Sequence, residues 1–313
     1  MSVGVGAHPR RPGECRCPDR GTVGGRVEPV KRWIVIAVSF VLACVGCARQ
    51  APVTPSVSPS VSPSTEAVVI GTTTDPTTKV LAELYAQALT AKGRAARIVE
   101  VDDDTNVLVT KLMAGDVDLA PAFAWTAGQV LEVDSGDPST LVSDLATALD
   151  GQVTVLQASG VDHGWRYLAE APGRSLQELA ATDLVVGPAA WAKAPDGPAG
   201  LASVYAKKPT VETVDDPAAR AEKVRAGAVG VFDGTDPAAA GLQPVDDPLA
   251  MVAIDPQVAL LNTDLAGDDV VLDVVQQLHG MLGNDDVMAI RSKAATGDLT
   301  RAVSEWLSAN PLT

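Results

Sequence analysis

Residues 67–91, AVVIGTTTDPTTKVLAELYAQALTA, decide the fold. Ala67–Ile70 is a short apolar run closed by Gly71, the length and composition of a buried strand. The TTTDP segment at 72–76 supplies hydroxyl and carboxylate caps and a proline suited to a first helical turn. From Thr77 to Ala91 the apolar residues recur at helical spacing. A strand fed through a short turn into a helix is the opening of an α/β unit.

The same grammar continues outward. Ala96–Val101 reads as a strand, Thr105–Ala114 as a helix and Val117–Phe123 as a third strand, which runs into a loop in the stretch VDLAPAFAWTAG at 117–128. Short turns between such elements predict a parallel sheet covered on both faces. A helix at Thr140–Leu149 and a strand VTVLQA at 153–158 precede SGVDHG at 159–164, which reads as a crossing segment. Beyond it, Trp165–Ala169, a helix at Ser175–Ala181, LVVGPA at 184–189, Pro198–Tyr205, Val211–Val214, Pro217–Ala226 and Val229–Asp233 make a second, smaller α/β unit. Met251–Ile254 is expected to rejoin the first sheet, and helices at Asp269–Leu282, Asp285–Ala295 and Leu299–Ala309 close the chain. Lobe 1 is thus expected over 66–160 plus 237–313 and lobe 2 over 161–236. Two lobes joined by two crossings predict a hinged cleft that closes on a small ligand.

Upstream the composition changes. Residues 1–29 are rich in Gly, Arg and Pro without periodicity and read as a non-native or disordered extension, with translation expected to begin near Val30. Lys31 and Arg32 followed by WIVIAVSFVLACVGC form the charged and apolar regions of a signal peptide over 30–47. VLACVGCA at 41–48 is similar to a bacterial lipobox; Cys47 is the expected acylation site, with Cys44 as the alternative register and cleavage with release as the reading without an anchor. An acyl chain tethers a protein to a membrane surface without a transmembrane helix. The Pro- and Ser-rich linker at 48–65 is an extended, solvated stalk.

Composition narrows the chemistry. The chain carries 24 Lys and Arg against 39 Asp and Glu, a net charge of -15, and several of its basic residues (Arg10, Arg11, Arg16, Arg20, Arg26, Lys31, Arg32) lie before Cys47. So acidic a folded part repels phosphate backbones, which excludes nucleic acid as a partner and favours cationic or zwitterionic small molecules. Cys15, Cys17, Cys44 and Cys47 all fall in the N-terminal region, so no disulfide or cysteine metal site is expected downstream. His8, His163 and His279 lack a nucleophile motif such as GxSxG, and no GxGxxG or GxxxxGK[ST] loop occurs. Asp102–Asp104 lacks the calcium-loop spacing. No catalytic residue, metal or cofactor is expected, and the chain does not read as an enzyme. His163 sits near the presumed cleft, with a surface turn as the plainer reading.

Several stretches together resemble one family. LAELYAQAL at 81–89, GDVDLAPAFAWT at 115–126, GPAAW at 187–191, DGPAGLASVY at 196–205 and Leu242–Asp247 are similar to motifs of the substrate-binding proteins of osmoprotectant ABC importers, of the glycine betaine, choline and proline betaine type, over about residues 67–310. The resemblance implies a type II periplasmic-binding-protein fold: α/β, with two α/β lobes, a ligand cleft and two crossover segments. Members box a quaternary ammonium with aromatic side chains, an attraction between cation and ring face, and hold the ligand's carboxylate with basic and polar groups.

Carried over one position at a time, Phe123 matches the first aromatic and Thr126 the closing threonine, while Trp125 replaces a glycine. Trp165 matches the second aromatic; the third falls on Asp233 and the fourth on or near Asp255. In the first loop Thr73, beside Thr72, stands where the family has a lysine, and Ala194 stands for an arginine with Lys193 beside it. Thr72, Thr73, Phe123, Thr126, His163, Trp165, Asp233 and Asp255 are therefore the candidate ligand-binding residues, in a cleft more negative than the family's. Core packing of Phe123 and Trp125, and solvent-facing capping by Asp233 and Asp255, remain the competing readings.

The function implied is an extracytoplasmic solute-binding protein, lipid-anchored to the bacterial cell membrane. It would deliver a small quaternary-ammonium, cationic or zwitterionic compatible solute to the transmembrane permease subunits of an ABC importer, acting as a monomer without cofactors. The alternative is a membrane-anchored sensory or interaction lipoprotein that keeps the fold but not the transport.

Overall fold

In the computed structural model, β1 (Val68–Thr72) runs into α1 (Pro76–Ala91), as the apolar run and its caps predict. The Asp75 carboxylate accepts from the Thr77 and Thr78 amides, both at 2.9 Å, and Pro76 takes a first-turn position that needs no donor. The structure describes residues 66–102, 104–133, 139–149 and 151–313, all within one compact unit, Ser60–Thr313. The extension 1–29, the signal segment with Cys44 and Cys47, the linker 48–65 and Asp103 lie outside the described residues.

The chain continues through β2 (Ala96–Glu100), α2 (Thr105–Ala114), β3 (Leu119–Phe123), α3 (Ala124–Val130), α4 (Leu141–Ala148) and β4 (Val153–Val155). A second set follows: β5 (Trp165–Ala169), β6 (Leu184–Gly187), α5 (Pro198–Val204), β7 (Thr210–Thr213), α6 (Pro217–Arg225), β8 (Val229–Asp233) and β9 (Gln243–Pro244). The chain then returns as β10 (Gln257–Asn262) and ends in α7 (Asp269–Met281), α8 (Asn284–Ala295) and α9 (Leu299–Ala309). Two five-stranded sheets result, in the orders β2-β1-β3-β10-β4 and β7-β6-β8-β5-β9.

Neither sheet is all parallel, contrary to the reading from strand and helix alternation. β10 is antiparallel to β3 and β4, and β5 is antiparallel to β8 and β9. Each reversed strand follows a crossing, so it enters its sheet from the edge that faces the other lobe, whereas its neighbours run toward that edge. The strand that rejoins the first sheet is Gln257–Asn262 rather than Met251–Ile254. The Asp247 carboxylate accepts from the Met251 and Val252 amides at 3.1 and 2.8 Å, and both side chains pack on the core of the second sheet. That sheet also takes β9, beyond residue 236. The helix expected at Ser175–Ala181 shrinks to a single turn at Leu176–Glu178, because the Asp183 carboxylate takes the Ala180 amide at 2.8 Å.

Both sheets bury side chains on both faces. In β3 the period of two sends Leu119 and Phe123 toward α1, α7, α8 and α9, and Ala120 and Ala122 toward α2, α3 and α4. Gly71, near the end of β1, lies where those layers meet most tightly. A Cβ there would stand 2.6 Å from Leu108 Cδ1 and 2.8 Å from Val117 Cγ1. Gly71→Ala should therefore destabilise the protein by about 1–3 kcal/mol, read from denaturant midpoints at unchanged slope.

Candidate ligand cleft

The cleft is built from the register of two strand pairs. In the pairing of β10 with β3, Gln257 lies opposite Phe123, so the residues just before β10 meet the residues just after β3. Pro256 O accepts from the Ala124 amide at 2.9 Å. One residue earlier, the Asp255 carboxylate accepts from the Trp125 amide at 2.7 Å, the Thr126 amide at 3.4 Å and the Thr126 hydroxyl at 2.6 Å. Asp255 thus closes the amino end of α3 from another segment and is itself buried. In the second sheet Trp165 on β5 lies directly opposite Asp233 on β8, which brings both side chains to one point of the cleft edge.

Between the lobes these walls enclose a cavity of about 460 Å³. Thr126, His163, Trp165, Asp233 and Asp255 line it, together with Trp125, Gln129, Asp196, Ser203 and Met251. The other candidates from the sequence lie behind the wall. Phe123 is a core residue whose ring stacks on that of His163, with centroids 4.4 Å apart. The Thr72 and Thr73 hydroxyls turn away to the Thr78 hydroxyl, at 3.1 and 3.0 Å. Trp125 is exposed and lines the cavity rather than the core.

Asp233 is answered within the protein. Its Oδ1 accepts from the Thr235 amide and hydroxyl, both at 2.7 Å, and its Oδ2 lies 3.3 Å from Arg291 Nη1. The same guanidinium donates to Thr235 O at 2.8 Å, while the Thr77 and Thr235 hydroxyls meet at 2.8 Å, both fully buried. Arg291 comes from α8, far from any ligand motif in sequence, and nothing in its local pattern announces the role.

His163 sits among three carboxylates. Its Nε2 is buried without a hydrogen-bond partner, 3.6 Å from Asp75 and 3.9 Å from Asp233. Burial opposes the imidazolium, but Asp75, Asp233 and Asp255 outweigh it and raise the His163 pKa above its ordinary value. Burial likewise opposes the charged form of Asp75, and His163, aided by the Thr78 amide and Arg291, outweighs it and lowers the Asp75 pKa. At Asp255 burial prevails over the bonds from Thr126 and Trp125, and its pKa is raised.

Asp196 opens the DGPAGLASVY motif, where its position gives no sign of what it faces. Its backbone oxygen accepts from the Tyr167 hydroxyl at 2.7 Å, which in turn accepts from Trp191 Nε1 at 3.0 Å. Trp191 is fully buried in the second lobe's core, so the loop is held from behind while the carboxylate faces the cavity.

Two predictions follow from these contacts. Asp255→Ala leaves buried donors of α3 unanswered and should cost about 1–3 kcal/mol in denaturant unfolding. For His163 the sign is fixed by linkage: a raised pKa adds stability below the ordinary imidazole value of 6.5, lost as pH rises through the folded value. The lowered Asp75 pKa adds stability above 3.8, lost as pH falls through its folded value. The stability difference between the native protein and His163→Gln should therefore be largest between those limits and shrink above neutrality. His279, buried with Tyr85 at 2.6 Å, titrates in both proteins and cancels in the difference. Melting temperatures from pH 4 to 9 check this; a constant difference overturns it.

Comparison with known proteins bears on the whole described region. No curated protein matches the chain by sequence. Among solved structures, apo YehZ from Escherichia coli superposes with a TM-score of 0.66 at 15% identity, covering 79% of this chain and 99% of its own. A glycine betaine/carnitine/choline ABC transporter structure gives 0.69 at 12% identity, with 77% and 98% covered. Lactococcal OpuAC, closed around glycine betaine, gives 0.51 at 11% identity, with 78% and 96% covered. These likenesses establish the fold, two α/β lobes of the type II periplasmic-binding kind. The family described as the substrate binding domain of ABC-type glycine betaine transport systems matches residues 66–309, and the chain belongs to that family of extracytoplasmic solute-binding proteins, which serve ABC permeases and are generally non-enzymatic.

Proposed function

We propose that the chain captures a small methylated-ammonium solute in the cleft and hands it to the transmembrane permease subunits. One observation carries this reading: a cavity of about 460 Å³ with a tryptophan from each lobe, Trp125 and Trp165, and no lysine or arginine among its lining residues. A methylated cation loses little on leaving water and is drawn to indole faces, so the two rings are suited to clasp it from opposite sides. In this assignment Thr126, His163, Asp233 and Asp255 shape the polar wall around the solute, and Phe123, Thr72 and Thr73 stiffen it from behind. Acylation at Cys47, with Cys44 as the alternative, would hold the protein at the membrane as a monomer on its 48–65 stalk, within reach of a permease.

Calorimetric titration and thermal shift on the full chain test this. A solute present at about 100 times its Kd should raise stability by about 2.7 kcal/mol. Trp165→Ala should weaken binding by about tenfold or more, since a desolvated cation–ring contact contributes about 2 kcal/mol. If no methylated ammonium raises the melting temperature, the reading gives way to an anchored interaction lipoprotein.

A further inference from the structure

Resting on that reading, the structure points to a narrower solute class. Three carboxylates line the cavity, and their hydrogen bonds separate them. Asp255 is saturated by the amino end of α3, and Asp233 by Thr235 and Arg291. Asp196 has only two backbone amides, that of Ala253 at 3.4 Å to Oδ2 and its own, and among the described residues no side-chain donor bonds its carboxylate. It is 8% exposed, and its backbone is pinned by Tyr167. When a solute fills the cavity and displaces water from this carboxylate, the two backbone amides alone serve it, and a donor from the solute restores what the water gave.

A trimethylammonium group has no N–H to offer. A protonated tertiary amine has one, and its bond to a carboxylate is charge-assisted. A solute carboxylate, by contrast, finds no lysine or arginine on the wall; the one titratable base there, His163, lies 3.6 and 3.9 Å from Asp75 and Asp233, whose charges already offset its own. Placed near Asp196, it would set two like charges together in a site of low dielectric. We infer that Asp196 makes the cleft selective for small ammonium solutes that keep an N–H and lack a carboxylate, such as a protonated tertiary alkylamine, over their quaternary and betaine counterparts.

Three probes separate the contributions at neutral pH, titrated into the full chain by calorimetry. N,N-dimethylethanolamine carries one N–H, choline differs by a methyl in its place, and glycine betaine adds the carboxylate. The expected order is dimethylethanolamine tighter than choline by about tenfold or more, with glycine betaine weakest. In Asp196→Asn the first two should fall within about twofold of each other, with circular dichroism and melting temperature confirming the fold. The ranking on the native protein stands even if that variant does not fold. Choline binding as tightly as dimethylethanolamine, glycine betaine binding tightest, or a preference that survives in Asp196→Asn overturns the inference while leaving the proposed function intact. Silence from all three probes removes both.

Discussion

The two connecting segments are hydrogen-bonded to each other, and the cleft depends on that pairing. Val161 O accepts from the Gln257 amide at 2.8 Å, Gln257 O from the Ser159 amide at 2.9 Å, and Asp255 O from the His163 amide at 3.0 Å. The Asp162 carboxylate then serves both segments, accepting from the Gly164 and Asp255 amides at 2.9 and 2.7 Å. The approach is so close that a Cβ on Gly164 would stand 2.5 Å from Ala253 O. Because the outgoing and returning chains are locked in this register, His163 and Trp165 on one and Asp255 on the other face the same cavity. Each of these residues falls there by counting from a strand end.

The same accounting changes the meaning of the acidic residues. A negative charge per residue is a property of composition, but the field that a solute meets depends on what each carboxylate already holds. Asp233 is met by a guanidinium and two donors from Thr235, and Asp255 by the start of α3, so both contribute less to the cleft than their sequence positions suggest. The contacts that neutralise Asp233 also join the lobes: Thr77 and Arg291 belong to the first sheet's helices and Thr235 to the turn after β8. Leaving either fully buried hydroxyl, Thr77 or Thr235, without a partner would cost more than the bond itself contributes.

Much of this was legible in the sequence, and the gaps have a common physical origin. Helices with regular apolar spacing and a cap were read to the residue, as at Thr105–Ala114 and Leu299–Ala309, because their signals are local. Strand direction was not, because β5 and β10 are reversed by the path of the chain between lobes and not by their own residues. The family resemblance brought Thr126, Trp165, Asp233 and Asp255 to attention, and the structure gathers them with His163 around one cavity. Phe123 matched an aromatic ligand position, yet in β3 its side chain points to the face shared with Leu119, into the core. Arg291 lay outside the motifs, since a charge partner drawn from a distant helix leaves no spacing to detect, and Asp75, legible as a helix cap, gave no sign that it also faces His163.

Three aspartates of one cavity thus hold three positions, decided by donors rather than by residue type. Asp255 substitutes for a capping side chain that α3 lacks, because Phe123 at its amino end has no acceptor to give. Asp233 completes a polar seam that holds the Arg291 guanidinium in place. Asp196 sits on a loop whose backbone is fastened by the Tyr167–Trp191 pair, so rigidity there comes from an aromatic contact 6.0 Å between ring centroids and not from the carboxylate. Where the first two side chains are used up in maintaining the walls, the third answers only backbone amides, that of Ala253 at 3.4 Å among them. On the proposed assignment the charge that the cleft presents to a solute is set in the second lobe, by the loop leading into α5, while Phe123, Asp233 and Asp255 have become part of the frame and Trp165 still faces the cavity.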